Sequence, residues 1–415
     1  MVFIALGVRL LLAVFSLRYL LDPAEDYFGF GWEVGRVARA LATGHGFSSP
    51  YQGDTGPTAV LPPLYPLLVG GIFKIFGVYT RASAIVLLVI QSLTSAVTCI
   101  PIYFIGQRTF GARVARLAGW AWVFFPYAIF ISAATIWSTS LSALLVALIF
   151  WLALRIGKGA GWGDWLALGA AGGMAALVNP TILPICAALG AWIWYCQRPR
   201  QAQVLTGAAV AAAIVALCIA PWIIRNYRVF GRLIPMRSNL GLHLYVGNTI
   251  DTAEYWHAEL DPAHSPQELA QMNRLGEIAY MTEKKRQAFD FIRQHPRVYA
   301  YLVFKRISYF WTGVWNLSPR FLQEDPGQAF NIPICTAISI LMFGGLYRAF
   351  KAGLGIAWPF ALCLLIYPLI FYLTTYEIPY RHPLDPLIAV LAVAGAIDSQ
   401  QMRGVSHPSL QLDRV

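Results

Sequence analysis

Five of the chain's twenty acidic residues, Asp22, Glu25, Asp26, Glu33 and Asp54, fall within residues 22–58, beside Arg36 and Arg39. A carboxylate next to guanidinium groups suits one kind of chemistry well. It accepts the proton of an attacking hydroxyl or amine as a general base, and the planar guanidinium matches a departing phosphate. Glu33 and Arg36 stand three apart, so they are neighbours on a helix expected over Trp32–Thr43. Val37, Ala40 and Leu41 give that helix an apolar face and Gly44 a stop, so it is expected to lie flat on a bilayer surface. Asp26 comes seven residues earlier, ahead of the bends expected at Gly29 and Gly31. The plainer reading makes Glu33 an ordinary acid at a helix start, paired with Arg36.

Two later stretches add polar groups. "PWIIRNYRVFGRLIPMRSNLGLHLYVGN", residues 221–248, carries Arg225, Arg228, Arg232 and Arg237, then Asn239, His243 and Asn248. The last three are candidates for substrate binding, whereas arginines at a helix end commonly anchor it to lipid phosphates. "TTYEIPYRHPLDP", residues 374–386, crowds Glu377, Tyr380, Arg381, His382 and Asp385 together. An acid at the start of an apolar helix needs a partner, and Arg381 lies one turn before Asp385. The group is either a structural ion pair or a phosphate-reading site, with Tyr380 a substrate contact.

Membrane helices must position these residues. The chain is 58% hydrophobic and 12% charged, about half the charge of a soluble domain. Apolar windows of roughly 18 to 22 residues match a bilayer core, and they are far too long for barrel strands. We expect an all-α polytopic membrane protein with about ten spans, near 2–21, 83–105, 113–132, 137–156, 164–179, 181–196, 204–223, 332–349, 356–374 and 383–398. The basic loops Gln107–Arg116, Arg155–Lys158, Arg198–Arg200 and Arg348–Lys351 are assigned to the inside by the positive-inside rule. That places all three polar clusters outside. Residues 62–77, with Lys74, and 297–315, with Lys305 and Arg306, read as helices on or partly in the outer surface. Residues 252–295 read as an amphipathic soluble segment.

The resulting division is 1–223, an N-terminal transmembrane module that includes the first outer loop 22–82; 224–331, an outer helical segment; 332–398, C-terminal transmembrane helices; and 399–415, a polar cytoplasmic tail. A net charge of +11 is assigned to loops and lipid phosphates rather than to nucleic acid. Six cysteines without a CxxC speak against disulfide frameworks and zinc sites. Trp32, Tyr51, Tyr65 and Trp256 are candidates for stacking on a sugar, with an interfacial aromatic belt as the alternative.

The order of these features, with "ALATGHGFSSPY", "PPLYPLLVGGIFKIFGVYTRASAIVLL", "IYFIGQRTFGARVARLAGWAWVFFP", "PWIIRNYRVFGRLIP" and "YRHPLDPL", resembles the GT-C superfamily of integral-membrane glycosyltransferases. It is similar to the branch of the dolichyl-phosphate-mannose protein mannosyltransferases and the lipid A aminoarabinose transferases. The resemblance implies an enzyme in a bacterial-type inner membrane with its site on the extracytoplasmic face. It would move a sugar from a polyprenyl-phosphate carrier to a lipid, glycan or protein acceptor with inversion. An acid of the first outer loop is the implied base, either Glu33 or Asp26. Arg225, Arg381 and His382, with Arg36, would hold the donor phosphate. Pro62–Pro63 match a surface helix of the relatives, and no metal or other cofactor is expected. A flippase or a polymerase for lipid-linked sugars is the alternative, and a transporter of that kind predicts charges at mid-membrane and broken helices in matching halves.

Overall fold

In a computed structural model, the structure describes residues 1–16, 30–159, 161–249, 258–319, 322 and 328–397. Backbone groups in a bilayer must bond within their own segment. Among the described residues the regular elements are accordingly helices, with one isolated bridge between Ser48 and Pro57. The membrane part begins with α1 (Val2–Phe15) and, after the first loop, runs through α4 (Arg81–Val97), α5 (Cys99–Phe110), α6 (Ala112–Val123), α7 (Pro126–Ala134), α8 (Thr139–Ile156), α9 (Trp162–Val178), α10 (Leu183–Cys196) and α11 (Gln201–Phe230). The first loop holds α2 (Glu33–Ala42) and α3 (Leu64–Phe76). Beyond α11 lie α12 (Leu240–Gly247), α13 (Pro266–Leu275), α14 (Glu277–Gln294) and α15 (Pro296–Thr312). The chain closes with α16 (Gln328–Lys351), α17 (Ala357–Ile366), α18 (Leu369–Leu373) and α19 (Asp385–Ala396).

Among the described residues, four helical stretches are long and apolar enough to cross a membrane: Arg81–Phe110, Thr139–Ile156, Arg198–Phe230 and Ala329–Lys351. A fifth appears if α6 and α7, bent by 43°, form one span. Of the other expected spans, Val2–Phe15, Pro180–Cys196 and Ala357–Leu373 are apolar but no longer than 17 residues. Proline punctuates two of these, since Pro180 opens a 3₁₀ turn and Pro368 separates α17 from α18. Helix α11 continues unbroken through residues 223 and 224, where the sequence reading divides the chain.

Buried polar groups lock the helices together. Arg9 of α1 donates to Ser95 Oγ at 2.8 Å and to the carbonyls of Trp122 and Val123 at 3.1 and 3.3 Å. It thereby ties α1 to the last carbonyls of α6, ahead of the bend into α7. Arg306 of α15 donates to the carbonyls of Gly247 and Tyr372 and to Asn248 Oδ1, so α15 is fastened to α12 and α18 through its charge. Helices α16 and α19 cross at Gly345 and Gly395, where any side chain would strike the opposite backbone.

Helix α2 departs from the expected surface helix. Val34, Gly35, Arg36, Val37, Ala38 and Ala40 are all buried, so it is enclosed on most sides rather than resting on one apolar face. Phe30 just ahead of it packs against Phe73 and Tyr79 with ring centroids 5.3 and 5.1 Å apart. At Gly70 of α3 a Cβ would stand 3.2 Å from the Ala38 carbonyl oxygen, so glycine sets how closely α3 approaches α2. The result is a rigid seat for Glu33.

Candidate active site

A cavity of about 440 Å³ opens where the ends of several elements converge. Its wall takes Gly31–Val34 at the start of α2, Trp137–Thr139 at the start of α8, Val178 at the end of α9, and Asn179 and Thr181 just after it. It also takes Arg237, Asn239 and His243 around the start of α12, Asp261 and His264 ahead of α13, and Glu377 and Tyr380 between α18 and α19.

The backbone turn that presents Glu33 is unusual. Gly31 has φ +81, and a Cβ there would collide with the Ile136 carbonyl oxygen. Trp32 follows with φ +57, a conformation a bulky residue adopts only when its surroundings force it. That turn sets the Trp32 ring 4.9 Å from the His264 ring, and both residues line the cavity.

Burial dominates the electrostatics. It raises the Glu33 carboxyl above the ordinary carboxylate range, against a backbone hydrogen bond and the charges of Arg237 and Arg36. Asp261 is pushed up to about 8 by burial and by the charge of Glu33, although the Ala263 N–H donates to it at 2.7 Å. Glu377 is pushed up to about 7 by burial, against a hydrogen bond of 2.7 Å donated by Tyr380, and the charge of Glu33 adds to the rise. Among the described residues, three carboxyl groups therefore share one cavity with one lining arginine, Arg237, whose Nε donates to the Val60 carbonyl at 2.9 Å. Burial and then the charge of Arg237 lower His243 to about 3. His243 is thus neutral, and its Nε2 accepts from Asn239 Nδ2 at 2.8 Å.

The structure brings some of the sequence-predicted residues together and sends others elsewhere. Glu33, Asn239, His243 and Tyr380 line the cavity, as do Trp32, Tyr51 and Tyr65. Arg36 is buried in α2 outside the lining, and its charge acts on Glu33 and His264. Arg225 packs against the rings of Phe47, Trp222 and Phe230 and donates to the carbonyls of Thr58 and Phe47 at 2.6 and 2.7 Å. Arg381 sits 3.3 Å from Asp385 and donates to the Trp311 carbonyl. His382 Nδ1 lies 2.9 Å from Asp385 Oδ2, with its ring stacked on Trp122. Asn248 donates to the carbonyls of Leu244 and Leu373 and accepts from Arg306.

Arg225, Arg381, His382 and Asn248 thus lie outside the cavity lining, each taken up by backbone carbonyls or by Asp385. Asp26 and Trp256 lie outside the described residues. Arg237, Asp261 and Glu377 take lining positions that the sequence reading did not assign to them. The placement of Arg237 two residues before Asn239 and the turn sequence "DPAH" at Asp261 were the available signals. Among the described residues, no three His, Cys, Asp or Glu side chains are grouped so as to hold a metal ion.

Residues 60–224 match the family model described as dolichyl-phosphate-mannose-protein mannosyltransferase. No curated protein matches the chain. Among solved structures, the oligosaccharyltransferase of Archaeoglobus fulgidus in the apo form aligns with 94% of this chain and 49% of its own, at 14% identity and a TM-score of 0.54. AglB from the same organism, in complex with an inhibitory peptide and a dolichol-phosphate, aligns with 94% of this chain and 50% of its own, at 14% identity and a TM-score of 0.51. ArnT from Cupriavidus metallidurans, bound to undecaprenyl phosphate, aligns with 94% and 77% at 14% identity and a TM-score of 0.40. The chain spans about half the length of the oligosaccharyltransferases it matches. The match over 60–224 and the shared helical fold make this chain similar to the GT-C glycosyltransferases, on the side of the protein mannosyltransferases.

Proposed function

We propose that the chain is an inverting glycosyltransferase. It moves a sugar from a polyprenyl-phosphate carrier to a lipid, glycan or protein acceptor on the outer face of a bacterial-type inner membrane. The observation that carries this reading is the cavity itself, which sets Glu33 among Arg237, Asn239 and Tyr380 beside the Trp32 ring. The dolichol-phosphate in the AglB complex supports the carrier class.

In this reading Glu33 takes the proton of the acceptor hydroxyl or amine. The acceptor atom bonds to the anomeric carbon from the face opposite the phosphate. The carbon–oxygen bond to the carrier breaks, and its electron pair leaves on the phosphate, where Arg237 meets the charge. A polyprenyl phosphate leaves without protonation, so one base suffices. A carboxyl whose pKa is raised is also a stronger base. Three ionised carboxylates would repel an anionic donor, so the high values of Asp261 and Glu377 suit its entry. The proposed transfer uses no metal, and a chelator should leave its rate unchanged. Segments 1–223 and 332–398 would form the membrane body and 224–331 the outer part, and the tail expected over 399–415 lies outside the described residues.

Purified protein in nanodiscs, supplied with a panel of polyprenyl-phosphate sugars and acceptor extracts, tests the reading through release of polyprenyl phosphate. Sugar-dependent release is expected. Carrier binding without release, whatever the acceptor extract, would favour a flippase or a polymerase instead.

A further inference from the structure

The end of the bundle opposite the cavity carries a second group of charges. Helix α8 begins at Thr139 in the cavity wall and ends at Ile156 after 18 residues, a rise of about 27 Å. Helix α9 returns from Trp162 to Val178, which is again in the cavity wall. The turn between them therefore sits about a bilayer core's thickness from the cavity. Four cations gather around that turn on different elements. Arg108 lies in the last turn of α5, Arg155 in the last turn of α8, Lys158 in the turn itself and Arg200 just ahead of α11.

Contacts between these elements hold them close. Gln197 Nε2 donates to the Gly157 carbonyl at 2.7 Å, which ties the segment ahead of α11 to the turn after α8. Gly159 has φ +91, and a Cβ there would stand 3.1 Å from Arg200 Nη1, so the guanidinium lies against this glycine. Partial desolvation and the charge of Arg108 hold Lys158, though its side chain is exposed, below the ordinary lysine range. Among the described residues, one carboxylate is ion-paired with any of the four. That is Asp164, which binds Arg155 at 2.9 and 3.3 Å. Aromatic rings edge the group: Trp162 is 56% exposed, and Arg198 lies 4.5 Å over the ring of the half-exposed Tyr195. Rings of this kind mark interfacial depth.

Four cations held against one another with a single carboxylate repel, and an anion would relieve that repulsion. Guanidinium and ammonium groups both donate well to phosphate. We propose that Arg108, Arg155, Lys158 and Arg200 form a binding site for the phosphate of an anionic lipid headgroup, in the leaflet opposite the cavity. The site stands apart from the transferase reading and from the donor phosphate, because the cavity lies at the other end of α8 and α9.

The test follows the thermal unfolding midpoint of the full chain in detergent as phosphatidylglycerol, phosphatidylcholine or inorganic phosphate is added. Salt is held at about 150 mM, where diffuse attraction is screened beyond about 8 Å. Phosphatidylglycerol should raise the midpoint by several degrees and phosphatidylcholine should not. The double variant Lys158→Gln/Arg200→Gln should lose most of that rise. Arg228→Gln, an exposed cation at the other end of α11, should keep it. An equal rise in the double variant and the wild type would overturn the site. A rise as large with inorganic phosphate would overturn the lipid as its source. Should the double variant fail to fold, native mass spectrometry of wild type and Lys158→Gln gives the same decision. A severalfold drop in retained phosphatidylglycerol is expected for Lys158→Gln, and undiminished retention would overturn the site.

Discussion

Tyr380 donates its phenolic hydrogen to Glu377 over 2.7 Å, in the wall of the same cavity that Glu33 lines. The bond fixes both side chains, and it stabilises the ionised form of a carboxyl that burial otherwise keeps protonated. Tyr380→Phe deletes it without changing shape. One lost hydrogen bond of about 1 kcal/mol predicts a roughly fivefold fall in kcat/KM for the carrier-linked sugar. Steady-state kinetics check this, and an unchanged kcat/KM would remove Tyr380 from the substrate contacts.

The raised carboxyls also predict how stability depends on pH. Asp261 titrates near 8 and Glu377 near 7 in the folded chain, against about 4 in an unfolded one. Between those values the folded state holds protons that the unfolded state has lost. The stabilisation is complete below the unfolded pKa and disappears as pH rises through 7 and 8, by up to about 1.4 kcal/mol per pH unit for each group. The unfolding midpoint should therefore fall from pH 6 to pH 9, and Asp261→Asn should flatten the slope. A variant slope as steep as that of the wild type would contradict the burial of this acid.

Arg237 and Arg225 separate two uses of arginine. Arg237 lines the cavity, whereas Arg225 holds the carbonyls of Thr58 and Phe47. Arg237→Gln should lower kcat/KM by about a hundredfold, the usual scale for losing a preorganised charge at a leaving group, with a smaller fall in the unfolding midpoint than Arg225→Gln, since only the Val60 carbonyl loses its donor. Arg225→Gln should lower the midpoint, because it leaves two carbonyls without their donor. The reverse pattern in paired melting and kinetic measurements would return the phosphate role to Arg225.

The strained turn ahead of α2 can be tested directly. Gly31→Ala sets a Cβ against the Ile136 carbonyl oxygen at positive φ and should cost on the order of 1–3 kcal/mol of stability. Trp32→Gly relaxes a φ of +57 but removes the ring that faces His264. It should melt no lower than the wild type yet turn over more slowly. Denaturant melts and turnover together decide whether that turn is held for the site.

The helical class and the helix that begins at Glu33 were legible in the sequence. Apolar run length and the three-residue spacing of Glu33 and Arg36 report local structure directly. The choice among arginines was not legible. Arg225 near the end of α11, Arg237 ahead of α12 and Arg381 ahead of α19 all stand near the ends of apolar helices, and only packing decides which guanidinium faces a cavity. Asp261 was hidden for a related reason, since a lone acid in a polar stretch gives no sign that the fold will bury it beside Glu33. The enclosure of α2 was equally out of reach, because its partner α3 covers it through a close approach at Gly70.

The most direct measurement is release of polyprenyl phosphate by Glu33→Gln, compared with the wild type and Asp26→Asn, with carrier binding followed in parallel. Glutamine keeps the shape of the side chain and cannot take the proton. If Glu33 is the base, release falls by about a thousandfold while carrier binding stays intact, and Asp26→Asn is hurt less. Equal retention of activity in both variants, or a loss confined to Asp26→Asn, would show that Glu33 is not the base.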